Sequence, residues 1–166
     1  MKQYASDLLR AEHREVEDQL DTLLHALKHL TAERVNDIGH SVENIRRLVG
    51  AHMDLEERVF YPAIRSLVED LLPNMLKQHD EIREADRYLG ELLSGFPERP
   101  TDRDMGELYR LGIELHDGVQ VHIVDEEEHL LKLVDGGLSS EQQQGLLAAM
   151  QGAVTAMQKK TCRAAQ

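Results

Sequence analysis

Cysteine occurs once, at Cys162, and tryptophan not at all. A single thiol excludes a disulfide framework and any zinc or iron–sulfur site built from cysteines. Aromatic residues make up 4% of the 166 residues and there are four prolines, poor material for a β-sandwich and good material for helices. Positive charge is also scarce: 19 Lys and Arg stand against 31 Asp and Glu, a formal net charge of −12. Nucleic acid and anionic lipid need their phosphates neutralised by Lys or Arg, so neither is an expected partner. No apolar run approaches the ~18 residues of a membrane span, and the opening MKQYASDLLR lacks the apolar stretch of a signal peptide. The expectation is a soluble, cytoplasmic, single-domain protein.

What the chain does have is nine histidines on a strongly helical pattern. Apolar residues recur at spacings of three and four through segments at about 7–30, 37–68, 73–94 and 102–134, and more weakly at 140–160. Ser6 is the expected cap of the first segment, and Pro73 and Gly95 bracket the third. Pro62 should kink the second, because it removes a backbone donor inside the pattern. Ser139 or Ser140, with a Gln three residues on, resembles a capping box for the last helix. No segment alternates with a period of two. Short connections force neighbouring helices to run antiparallel. The fold expected is therefore all-α, an up-down four-helix bundle over 1–136, with 137–166 adding a C-terminal helix that packs on the bundle or on a partner, in the same domain.

The histidines fall on those helices in a pattern. His52 and Glu56 are four apart on the second helix, and His122 and Glu126 repeat the spacing on the fourth, so each pair shares a helix face. His13 on the first helix and His79 on the third each lie about six residues in, while His52 and His122 lie about fifteen and twenty residues in. Antiparallel geometry brings early residues level with late ones, so all four imidazoles can meet in one layer near one end of the bundle. Imidazole suits iron, zinc, copper and nickel, and carboxylates can bridge two ions. Four His with two Glu make a ligand set for two iron ions, although another divalent metal would also fit. Without metal, two buried carboxylates would cost several kcal/mol or be protonated.

As a set, His13, then His52 and Glu56 with Phe60-Tyr61-Pro62, then His79, then His122 and Glu126 with Glu127, resembles the hemerythrin-like (HHE cation-binding) domains over about residues 5–134. The resemblance implies a four-helix bundle holding a non-haem di-iron centre, bridged by oxygen and by the two carboxylates. Oxygen carriers of that family have a further His one turn after the third-helix ligand, where this chain has Arg83. Arginine cannot ligate. One metal position is therefore expected to be open, or filled by Glu17 or a water, with Arg83 paired to Glu17 or Glu127. The fourth helix also has Lys132 where a Pro often follows the Glu pair.

The expected ligand is oxygen, nitric oxide or iron itself, bound or sensed without turnover. No nucleophile constellation, phosphate loop or nucleotide fingerprint points to an enzyme. The alternatives are a di-iron oxidoreductase or iron-cluster repair protein, for which Tyr61, Tyr109 and Arg83 are the nominees, and a metal-stapled interaction module whose C-terminal helix binds a partner or a second copy. Of the other histidines, His25, His29 and His40 lie too far along their helices to join the site, and His116 is on another face. His129, seven after His122, shares its stripe and is expected in the core or behind the ligands. The run Asp125–Glu128 reads as one site residue, Glu126, among solvated neighbours.

Overall fold

The structure, a computed structural model, describes residues 3–164, with side chains described as far as residue 157; Cys162 lies outside those side chains. Helix α1 spans Ala5–Lys28, and a short 3-10 turn leads into α2, Val35–Leu55. A π turn, Glu56–Phe60, joins α2 to α3, Tyr61–Val68, within one continuous rod. Helix α4 is Leu72–Ser94 and α5 is Asp102–Asp125. A second π turn, Glu126–Leu130, joins α5 to α6, Leu131–Gly137, and α7 follows at Ser140–Ala164. No strand occurs among the described residues, and no helix among them is long and apolar enough to cross a membrane.

The rods run up and down. Arg10 meets Asp135, Glu17 meets Gln120, and Leu27 abuts Gly112, so α1 and the α5–α6 rod are antiparallel. Arg46 meets Asp86 while Glu57 meets Arg83, which sets the α2–α3 rod antiparallel to α4. The α1–α5 approach is close because Gly112 has no side chain: a Cβ there would stand 2.8 Å from Leu27. The helix ends follow local chemistry. Asp7 accepts from the Tyr4 amide, so Tyr4, and not Ser6, occupies the cap position of α1. Ser6 instead lies inside the helix and donates to Asp135 at 2.6 Å. Thr101 and Asp104 cap α5, and Ser139 with Gln142 caps α7.

Two apolar clusters fill the interior. One packs Val16, Leu20, Leu23 and Leu27 against Ile45, Val49, Leu89, Leu108 and Leu115. The other joins Leu9, Leu55, Phe60, Ile64, Met75, Leu130 and Val134. Helix α7 lays Leu146, Leu147 and Met150 on this second cluster, against the bundle itself. In α1 and α4 a histidine marks the crossing from one cluster to the other: His13 separates Leu9 from Val16, and His79 separates Met75 from Ile82. The other two rods cross just past theirs, between Met53 and Leu55 and between Ile123 and Leu130. The histidine layer is thus interior, and not near an end as the helix lengths suggest, because α3, α6 and α7 build a second core beyond it.

Candidate metal centre

The six residues singled out by spacing converge. His13, Glu56, His79 and Glu126 are 0% exposed, His122 2% and His52 6%. Their donor atoms fall into two groups, each small enough to surround one ion: His13, His52, Glu56 and Glu126, and then Glu56, His79 and His122. Glu56 belongs to both. Its Oε1 lies 3.2 Å from His52 Nε2, and its Oε2 lies 3.2 Å from His79 Nε2 and 3.9 Å from His122 Nε2. Glu126 Oε2 lies 3.1 Å from His13 Nε2. The imidazole Nε2 atoms approach in pairs, His13 with His52 and His79 with His122, each at 3.2 Å.

The other ring nitrogen of each histidine is fixed from outside the layer. His13 Nδ1 donates to Glu127 at 2.9 Å, His52 Nδ1 to Glu12 at 2.9 Å, and His79 Nδ1 to Glu57 at 2.7 Å. His122 Nδ1 meets Gln78 Oε1 at 3.1 Å. A carboxylate only accepts, so Nδ1 carries a proton and Nε2 is the ring atom turned inward, the arrangement that metal-binding imidazoles adopt. Arg14 pairs with Glu127, and Arg83 holds Glu57 at 2.7 Å.

These acceptors correct two expectations. The acidic run after His122 is not one site residue among solvated neighbours: Glu127 holds His13, and Asp125 accepts from Gln78 at 2.6 Å. Arg83 does pair with an acid behind the ligands, but the acid is Glu57, with Asp80 at 3.4 Å, and neither Glu17 nor Glu127. Glu17 instead meets Arg14 and Gln120, away from the layer. A sequence signal for the acceptors existed. Each lone histidine follows a Glu or Gln (Glu12-His13, Gln78-His79), and each inward Glu precedes another (Glu56-Glu57, Glu126-Glu127).

Of the three nominees for a reactive group, Tyr61 reaches the layer. Its hydroxyl donates to Glu56 Oε2 at 3.3 Å and lies 3.4 Å from His79 Nε2, with the ring stacked on His79. Tyr109 is 44% exposed, and the Arg83 side chain is 40% exposed. His129 is exposed, contrary to expectation, because the π turn inserts a residue and hands its inward place to Leu130. His116 pairs with Asp117 at the surface side of α5.

Burial and the two inward carboxylates set the electrostatics of the layer. Burial opposes a charge on His52, yet Glu56, Glu12 and Glu126 outweigh it and hold its pKa well above the usual 6.5. Burial likewise opposes His79, whose pKa is raised by Glu56 and Glu57. Glu56 is pushed up by burial but drawn well below the usual carboxylate range by His52, His122 and His79. Glu126 moves the other way, raised by burial and by the neighbouring Glu56 charge. Burial, then the same two carboxylates, drives the Tyr61 phenol well above its usual range. Glu56 Oε1 and both oxygens of Glu126 are buried and reach no hydrogen-bond partner. Buried polar atoms are rarely left so, and three of them among the inward Nε2 atoms of four imidazoles fit a cation.

The fold and this layer together define a metal-binding helical bundle with mixed imidazole and carboxylate donors. The profile of the hemerythrin HHE cation-binding domain matches residues 4–134, and the chain belongs to that family. No curated protein matches it.

Proposed function

We propose that the protein holds two iron ions, one among His13, His52, Glu56 and Glu126 and one among Glu56, His79 and His122, and uses the pair to bind or sense oxygen or nitric oxide. The observation that carries this reading is the division of Glu56, whose two oxygens serve different histidine pairs. A carboxylate so placed could serve both ions and would offset part of their charge within a buried layer. Bound iron would supply an electron-rich, Lewis-acidic centre for a diatomic ligand. The chain's own residues do the rest. Glu12, Glu57, Glu127 and Gln78 orient the four rings, and the apolar clusters on both sides keep bulk water from the layer. Tyr61 stands at the three-residue group, beside the carboxylate both ions would share.

A second reading, a metal that only staples the bundle, is supported by the burial of all six residues and by their spread over the four main rods. Elemental analysis with an optical spectrum of aerobically purified protein separates the two. Two irons per chain, with ferric bands that change reversibly on reduction and on exposure to oxygen or nitric oxide, support the proposal. A single tightly held metal with no spectral response to either gas would leave the staple.

A further inference from the structure

The acceptors behind the histidines obey an internal two-fold pattern, broken at one place. The residue before each lone histidine serves the histidine of the neighbouring rod: Glu12 takes His52 Nδ1 and Gln78 takes His122 Nδ1. The residue after each inward Glu serves the lone histidine: Glu127 takes His13 Nδ1 and Glu57 takes His79 Nδ1. Each of the last two is in turn backed by an arginine, Arg14 or Arg83, so these halves balance. Glu12 and Gln78 do not. Behind His13 and His52 stand two carboxylates, whereas behind His79 and His122 stand one carboxylate and one neutral amide. The amide is held in that role, because its nitrogen donates to Asp125 at 2.6 Å and turns its oxygen toward His122.

We infer that the two metal positions are unequal: the His13/His52 position takes a divalent cation first and tightly, and the His79/His122 position takes a second cation weakly and exchanges it. This inference rests on the binuclear reading above. Two independent observations point the same way. The first position offers four protein ligands and the second three. A carboxylate accepting from Nδ1–H makes Nε2 a stronger donor to metal, and an amide, with only partial charge on its oxygen, does so less. The tight ion would tie α1, α2 and the second π turn together. The other could leave without disassembling the bundle.

The test is calorimetric titration of the metal-free full chain with Zn2+ against a competing chelator, with elemental analysis at saturation. The wild type should bind two ions in two resolved steps separated by about tenfold or more, the scale of such outer contacts. Glu12→Gln keeps volume and an acceptor oxygen; it should weaken the first step by about 10–100-fold and leave the second unchanged. The reciprocal variant needs two changes, because Gln78→Glu alone would press a carboxylate against Asp125. The double variant Gln78→Glu/Asp125→Asn restores a donor there and should tighten the second step by about tenfold or more. If that variant fails to fold, Glu12→Gln decides alone. Two ions bound in one unresolved step, or both steps weakened alike by Glu12→Gln, would overturn the inequality and leave the binuclear reading standing. Saturation at one ion per chain would remove the binuclear reading, and this inference with it.

Discussion

Glu126 should destabilise the metal-free protein, and replacing it should show that directly. Both of its carboxylate oxygens are buried without a hydrogen-bond partner, and burial together with the Glu56 charge holds its pKa up. Each unsatisfied buried polar atom costs about 1–3 kcal/mol, so Glu126→Met, which keeps length and flexibility, relieves about 2–6 kcal/mol. Loss of the 3.1 Å approach to His13 opposes this gain. Glu126 is pushed toward its neutral form by burial and by Glu56 and is not held charged by a partner. Its removal therefore does not break a stabilised ion pair, and we expect a net gain of about 2–4 kcal/mol. For a chain this long, that is a rise in melting temperature of roughly 5–15 °C. The wild type should recover or exceed this difference when Zn2+ is added, by mass action on the folded state. The variant should respond far less. Thermal unfolding followed by circular dichroism, in chelator and then in excess Zn2+, measures all four states. A metal-free variant less stable than the metal-free wild type would refute the reasoning, since Glu126 would then be a satisfied structural residue.

Two further outcomes follow from the same layer. His52 and His79 have folded pKa values above 6.5, so their contribution to metal-free stability is full below pH 6.5 and is lost as pH rises through the raised values, while Glu56, held low, loses its share only as pH falls below 4.5. Melting temperature without metal should therefore fall as pH rises above 6.5, and metal affinity should rise in the same direction as ligand protons are displaced; a flat metal-free profile would contradict it. Tyr61→Phe removes a buried donor to Glu56 Oε2 and should cost the metal-free protein about 1–3 kcal/mol, read as a lower urea midpoint at unchanged slope.

The layer of four histidines and two glutamates was legible because helical spacing is a one-dimensional property: residues four apart share a face whatever packs on it. Depth along antiparallel rods then set His13 and His79 level with the other pair. The acceptors were hidden for the opposite reason. Glu12, Glu57, Gln78 and Glu127 sit beside ligands in sequence but act across to another rod, so their role depends on how the helices are rotated against one another. Arg83 illustrates the limit. Its place one turn after His79 was readable, but its turn outward to Glu57 was not, because Glu57 reaches His79 from the neighbouring rod.

The π turns are the feature spacing alone should have exposed. Counting from each inward Glu, the fully buried residues fall at the fourth, fifth and eighth positions: Phe60, Tyr61 and Ile64 after Glu56, and Leu130, Leu131 and Val134 after Glu126. An unbroken α-helix would instead turn the third, fourth and seventh positions inward, which means Val59, Phe60 and Ala63 in one rod and His129, Leu130 and Leu133 in the other. Burying His129 in place of Leu131 would forfeit about 1.5–3 kcal/mol of apolar burial and strand a polar ring in the second cluster. The wider turn avoids this. It keeps the Glu in phase with its histidine four residues earlier, then shifts the apolar stripe by one residue for the core beyond. In both rods the amide that closes it, Tyr61 or Leu131, donates to the carbonyl of the inward Glu. Proline is not its cause, since Lys132 stands where the other rod has Pro62, and both rods make the same turn. Pro62 lies in the first turn of α3 and continues a rod whose change of phase has already been made at Glu56. Two carboxyl side chains can therefore be inserted between two apolar cores without either core losing its stripe.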